Sequence, residues 1–132
     1  MNTALNPTTL AAPAARYSHG VVVETNSRLL YTSGIVPTRP DGTVPAGLAE
    51  QAAAVWQIIR VLLADGGFAM ADVVSVTTYV VPGQDLSIVM AARDHALGGH
   101  LAASTLVVTA ALARPEWLLE IAVIAAASAS AS

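Results

Sequence analysis

Trp117-Leu118-Leu119-Glu120-Ile121-Ala122-Val123-Ile124-Ala125-Ala126-Ala127 carries a single charge among Trp, Leu, Ile, Val and Ala. Read as a strand, Trp117, Leu119, Ile121 and Val123 point one way and Leu118, Glu120, Ala122 and Ile124 the other, so both faces are apolar. An unpaired ionised carboxylate in such a setting costs several kcal/mol or is forced to protonate, so Glu120 needs a partner or a task. The strand expected before it, Ser104 to Ala111, is apolar or hydroxylated on both faces and offers no cation.

Outward from this stretch, the remaining elements alternate. Gly20 to Glu24 and Arg28 to Ser33 flank Thr25-Asn26-Ser27 and read as a hairpin. Pro37 to Pro45, with Pro40-Asp41-Gly42, is a loop by turn chemistry. From Leu48 to Asp65, Leu48, Ala52, Val55, Ile58, Ile59 and Leu62 recur at helical spacing, and Gly66-Gly67 closes the run. Asp72 to Val81 is a Val/Thr strand stopped by Pro82-Gly83. Asp85 caps a second helix that runs to about Leu97 and ends at Gly98-Gly99.

The order is therefore β-β-α-β-α-β-β, an α+β domain over residues 16–126, with a flexible Ala/Thr/Pro arm over 1–15 and a disordered Ala/Ser tail over 127–132. Five strands form one sheet and two helices cover one face of it. The uncovered face is apolar in the last two strands, and burying it against other copies predicts a closed homo-oligomer. If the last two strands pair as neighbours in an even register, Ser104, Leu106 and Glu120 share that face, and a polar group trapped between copies makes a small-molecule pocket.

Composition narrows the chemistry. The chain of 132 residues has no cysteine, six scattered arginines, no lysine and a formal charge of −3. This removes thiolate and Schiff-base lysine chemistry and argues against electrostatic nucleic-acid binding, which needs clustered cations. Mean hydropathy is high at +0.61, yet no apolar stretch reaches the ~18–20 residues that span a bilayer. Nor does the N-terminus read as a signal peptide, and a soluble cytoplasmic protein is expected.

Tyr17-Ser18-His19-Gly20, Thr32-Ser33-Gly34 with Pro37, Asp72-Val73-Val74 and Arg114-Pro115-Glu116-Trp117-Leu118-Leu119-Glu120-Ile121 occur in the order in which similar motifs occur in the RidA/YjgF family. The chain resembles that family over roughly residues 13–126. The resemblance implies a chorismate-mutase-like fold, a homotrimer with ligand sites between subunits, and hydrolysis of reactive imino or enamino acids without metal or organic cofactor. It also implies that Glu120 positions the attacking water, that Tyr17 lines the pocket, and that Ser33, Gly34 and Ile35 stand beside substrate.

Aligned through Leu112, Ser104 falls where such deaminases carry an Arg that grips the substrate carboxylate, and Leu106 where they often carry Cys. Ile35 replaces a frequent Gln and Ala122 a frequent second Glu. A serine reproduces neither the fork nor the charge of a guanidinium, whose hydrogen bonds are worth about 1.5–3 kcal/mol. The pocket is thus expected to take a less acidic ligand. An imine- or enamine-processing enzyme leads, with a non-catalytic binding trimer and a biosynthetic enzyme acting on a larger neutral intermediate as rivals; ribonuclease activity is disfavoured by the charge.

The histidines carry less. His19 is of a residue type that can serve as a general base but stands alone. His95 and His100, near the end of the second helix, are explained by the helix dipole, and the sequence groups no metal-ligand set.

Overall fold

The computed structural model describes residues 1–129. After β1 (Thr3–Leu5) the chain follows the expected order: β2 (Gly20–Val22), β3 (Ser27–Tyr31), α1 (Leu48–Asp65), β4 (Val73–Val80), α2 (Leu86–Leu97), β5 (Ala103–Val108) and β6 (Leu119–Ser128).

Both helices form where capping chemistry permits. Asp85 accepts from the Ser87 N–H at 3.0 Å and the Ser87 hydroxyl at 2.6 Å, satisfying the first turn of α2. At the end of α1, Gly67 takes φ +80°, and Gly67 N–H and Phe68 N–H donate back to Ala64 O and Leu63 O. This paired return closes the helix, and it turns Phe68 into the core.

The main sheet has the order β3-β6-β4-β5. β6 runs antiparallel to both β3 and β4, and β4 runs parallel to β5. β3, β4 and β5 therefore share one direction, and α1 and α2, each a crossover between two of them, also run side by side in one direction. Val55, Ile59 and Leu63 of α1 and Val89 and Leu97 of α2 pack on Val76 and Val80 of β4 and on Leu119, Ile121 and Val123 of β6.

The helices cover that face alone. On the other side Leu29, Tyr31, Tyr79 and Val107 are 50%, 69%, 36% and 42% exposed, so the apolar open face expected from the strand pattern is present.

Four expectations need correction. The last two strands are not neighbours, because β4 lies between them: Thr78 pairs with both Leu106 and Ile121, and Tyr79 with both Val107 and Glu120. The turn at Asn26 forms, with φ 64°, but β2 and β3 make no ladder; β2 pairs with β1, and β3 pairs with β6. Residues expected in a flexible arm thus form a strand, with Thr3 opposite Val22 and Leu5 opposite Gly20. In the expected tail, Ala127 and Ser128 are paired with Arg28 and Ser27 as the last rungs of β6, and residues 130–132 lie outside the described part.

Candidate functional site

Glu120 stands second in β6, half-buried, on the open face and directly across from Tyr79. Its neighbour on the other side is the segment after β3. Thr32 and Ile35 fasten that segment to β6: Thr32 N–H donates to Val123 O at 3.0 Å, Val123 N–H to the Thr32 hydroxyl at 3.0 Å, and Ile35 and Ile121 exchange backbone bonds at 2.7 and 3.0 Å. Ser33 and Gly34 arch between these fastenings and are exposed. A β-carbon placed on Gly34 would overlap the Glu120 carboxylate and lie 2.6 Å from its carboxyl carbon. Glycine is what allows the acid to lie against the backbone. Among the described residues no donor or cation is paired with that carboxylate.

The structure unites Ser33 and Gly34 with Glu120, but not the other expected residues; Ile35, opposite Ile121, turns its side chain to the helix-covered core. Ser104 and Leu106 align with Val76 and Thr78, whose partners in β6 are Val123 and Ile121, so they lie on the helix-covered face. The Ser104 hydroxyl accepts from Arg93 Nη1 at 3.2 Å, and Leu106 packs against the core. The β5 residues on Glu120's side are Thr105 and Val107. The expected even register between adjacent strands fails because β4 intervenes, and with a two-residue period a shift of one exchanges the faces.

Arg93 is buried, with Nε donating to Asp94 Oδ1 at 3.1 Å; Nη2 is equally near that oxygen but outside hydrogen-bonding geometry. Its charge is held under the sheet. No cation lies among the strand residues that share Glu120's face, from Leu29 and Tyr31 through Ala122 and Ile124, Thr77 and Tyr79, to Thr105 and Val107.

Tyr17 lies at the far edge. Ser18 bridges Ala103 beyond β5, so Tyr17 and Glu120 of one copy are three strand spacings and about four residues apart, roughly 20 Å. The Tyr17 hydroxyl accepts from Ala14 N–H at 3.2 Å, and its ring meets His19 edge-on at 6.0 Å. His19 Nε2 donates to Ala11 O at 2.7 Å, and its backbone N–H donates to Asn6 Oδ1 at 2.8 Å. These contacts tie down the N-terminal segment. His100 Nε2 donates to Val73 O at 2.6 Å, while His95 is exposed on α2. Among the described residues no three His, Cys, Asp or Glu side chains gather as a metal set.

Sequence reading missed Gln51. Fully buried on α1, it donates to Pro45 O and Glu116 O at 2.8 Å each and accepts from Leu118 N–H at 2.8 Å. It thereby holds the loop before α1 and the entry to β6 two residues ahead of Glu120. A polar residue in the helix's apolar stripe was the available signal.

Two crossover helices on one face of a β3-β6-β4-β5 sheet, with the other face open, define the class of α+β fold to which the chain belongs. The family model described as Endoribonuclease L-PSP matches residues 8–127, and the chain belongs to this family, also known as Rid or YjgF. Among solved structures, the Yersinia pestis protein YyfB of the Rid family is 28% identical with a TM-score of 0.83, over 96% of this chain and 98% of that one. A Thermotoga maritima protein described as a putative endoribonuclease is 28% identical at TM-score 0.71, over 97% and 99% of the two chains. The Escherichia coli YjgF gene product is 26% identical at 0.69, over 93% and 97%. Among curated proteins, none matches the chain. No helix among the described residues is long and apolar enough to cross a membrane.

Proposed function

We propose that this chain is a cofactor-independent enzyme of Rid type that hydrolyses an imine or enamine less acidic than a small 2-imino acid. It works in clefts between the copies of a cytoplasmic homotrimer. One observation carries the reading: Glu120 presents a carboxylate without a protein partner, set against the Gly34 backbone, on a sheet face left uncovered within one chain. Such a group is free to accept a proton from water. The water oxygen then bonds to the imine carbon and the proton passes to nitrogen, giving a carbinolamine; the acid next carries the hydroxyl proton to nitrogen, and the C–N bond breaks to leave a carbonyl and ammonia.

Tyr17 is too far from Glu120 in the same copy to touch the same small molecule, so its place in the pocket requires Glu120 of a neighbouring copy. Ser33 and Gly34 adjoin the acid; Ile35, Ser104 and Leu106, turned to the helices, have no part in the contact. A substrate without a carboxylate fits a face that holds no cation.

The lack of a cation equally favours a second reading, a trimer that binds a neutral small molecule without turnover. Hydrolysis of 2-aminoacrylate, 2-iminobutyrate and the corresponding neutral imines separates the two. The first reading expects ammonia release by the wild type with neutral imines preferred, and loss of that activity in Glu120→Gln with the assembly intact. Ligand-induced thermal stabilisation without ammonia release would establish the second.

A further inference from the structure

A groove of about 520 Å³ lies away from Glu120, on the outside of the helical layer, between α1 and α2. This is within the range of small-molecule sites. Ala53 and Trp56 of α1 face Ile88 and Ala92 of α2 across it, at helical spacing along each wall. The small residues let the helices approach while leaving a trough, and Trp56 supplies a flat apolar surface.

Arg60 and His95 also line the groove. Because α1 and α2 run in the same direction, Arg60 in the last third of one and His95 in the last turn of the other stand toward the same end. No acidic residue lines the groove, although the chain as a whole is acidic. Neither the Arg60 nor the His95 side chain has a salt-bridge or hydrogen-bond partner among the described residues. The indole N–H of Trp56, 96% buried by a residue exposure of 4%, has no acceptor either. An apolar trough with two unpaired cationic or protonatable groups toward one end is complementary to one chemistry.

We infer that this groove is a second ligand site, which takes a small carboxylic acid with a flat apolar body. The body lies on Trp56 and the alanines, and the carboxylate reaches Arg60 and His95. The site lies on the opposite side of the sheet from Glu120, so an assembly through the open face leaves it accessible. The inference does not depend on the proposed hydrolysis.

Phenylacetate and its uncharged analogue phenylacetamide are suitable probes, with the full-length Trp117→Phe variant making Trp56 the sole tryptophan reporter. Millimolar phenylacetate is expected to change Trp56 emission, and phenylacetamide to bind about tenfold more weakly or less. Arg60→Gln combined with His95→Gln should weaken phenylacetate by at least that factor, whereas Glu120→Gln should leave its binding unchanged. Both rim residues are exposed, and an unchanged circular dichroism spectrum would confirm that the fold survives. Absence of a Trp56 response, equal binding of acid and amide, binding unaffected by the double substitution, or binding lost in Glu120→Gln would each overturn the assignment.

Discussion

Gly34 and Glu120 occupy adjoining space so closely that a side chain on the first would take the place of the carboxyl group of the second. The glycine has no left-handed torsion that a side chain would strain. The atoms it would meet are the far end of a flexible side chain, so the acid moves rather than the backbone. Gly34→Ala should therefore leave the melting temperature nearly unchanged and lower turnover about a hundredfold, the scale on which a misplacement of about 1 Å is felt. Steady-state kinetics beside a thermal melt would show the split; an unaltered rate would mean that the arch does not position the acid.

Gln51 acts at longer range. Replacing it by Leu leaves Leu118 N–H and the Pro45 and Glu116 carbonyls short of a buried partner, and each unmet group costs about 1–3 kcal/mol. A loss of roughly 2–4 kcal/mol in denaturant unfolding is expected, with part of the effect visible as weaker ligand binding because β6 enters through this anchor. Gln51→Glu should also destabilise, since a carboxylate facing two carbonyls cannot donate.

Acid should loosen α2 before the core. The Ser87 hydroxyl, and after it the Ser87 N–H, hold Asp85 below its ordinary value of 3.8. A carboxyl lowered in the folded state binds its proton less readily than in the unfolded chain. Its contribution is thus full above 3.8 and is lost as pH falls through the lower native value. Stability measured against pH should fall less steeply at the acid end in Asp85→Asn, which keeps an acceptor oxygen but no charge.

How much of this was legible follows the distance over which each feature is determined. α1 and α2 declared themselves through local periodicity, the Asp85 cap and the glycine stops. β4 and β6 were visible as Val- and Ile-rich runs, and Glu120 stood out by contrast with its neighbours. Strand partners are set by contacts remote in sequence: nothing local says that Val73–Val80 inserts between β5 and β6, or that Thr3–Leu5 finds Gly20–Val22. The one-residue error that put Ser104 and Leu106 on Glu120's face follows from that missing insertion. Gln51 escaped because its partners, Pro45, Glu116 and Leu118, come together only after folding.

The open face also yields a direct prediction. Val107→Asp places a charge among Tyr79, Thr105 and Glu120 without entering the helix-covered core. The single chain should stay folded by circular dichroism while any association through this face is abolished, because an unpaired charge buried there costs several kcal/mol.

The central claim is that Glu120 lies on a surface which only further copies of the chain can close. Sedimentation equilibrium of the wild-type protein at micromolar concentration tests it most directly. The account predicts a mass of three chains, falling to one in Val107→Asp; a stable wild-type monomer would contradict it.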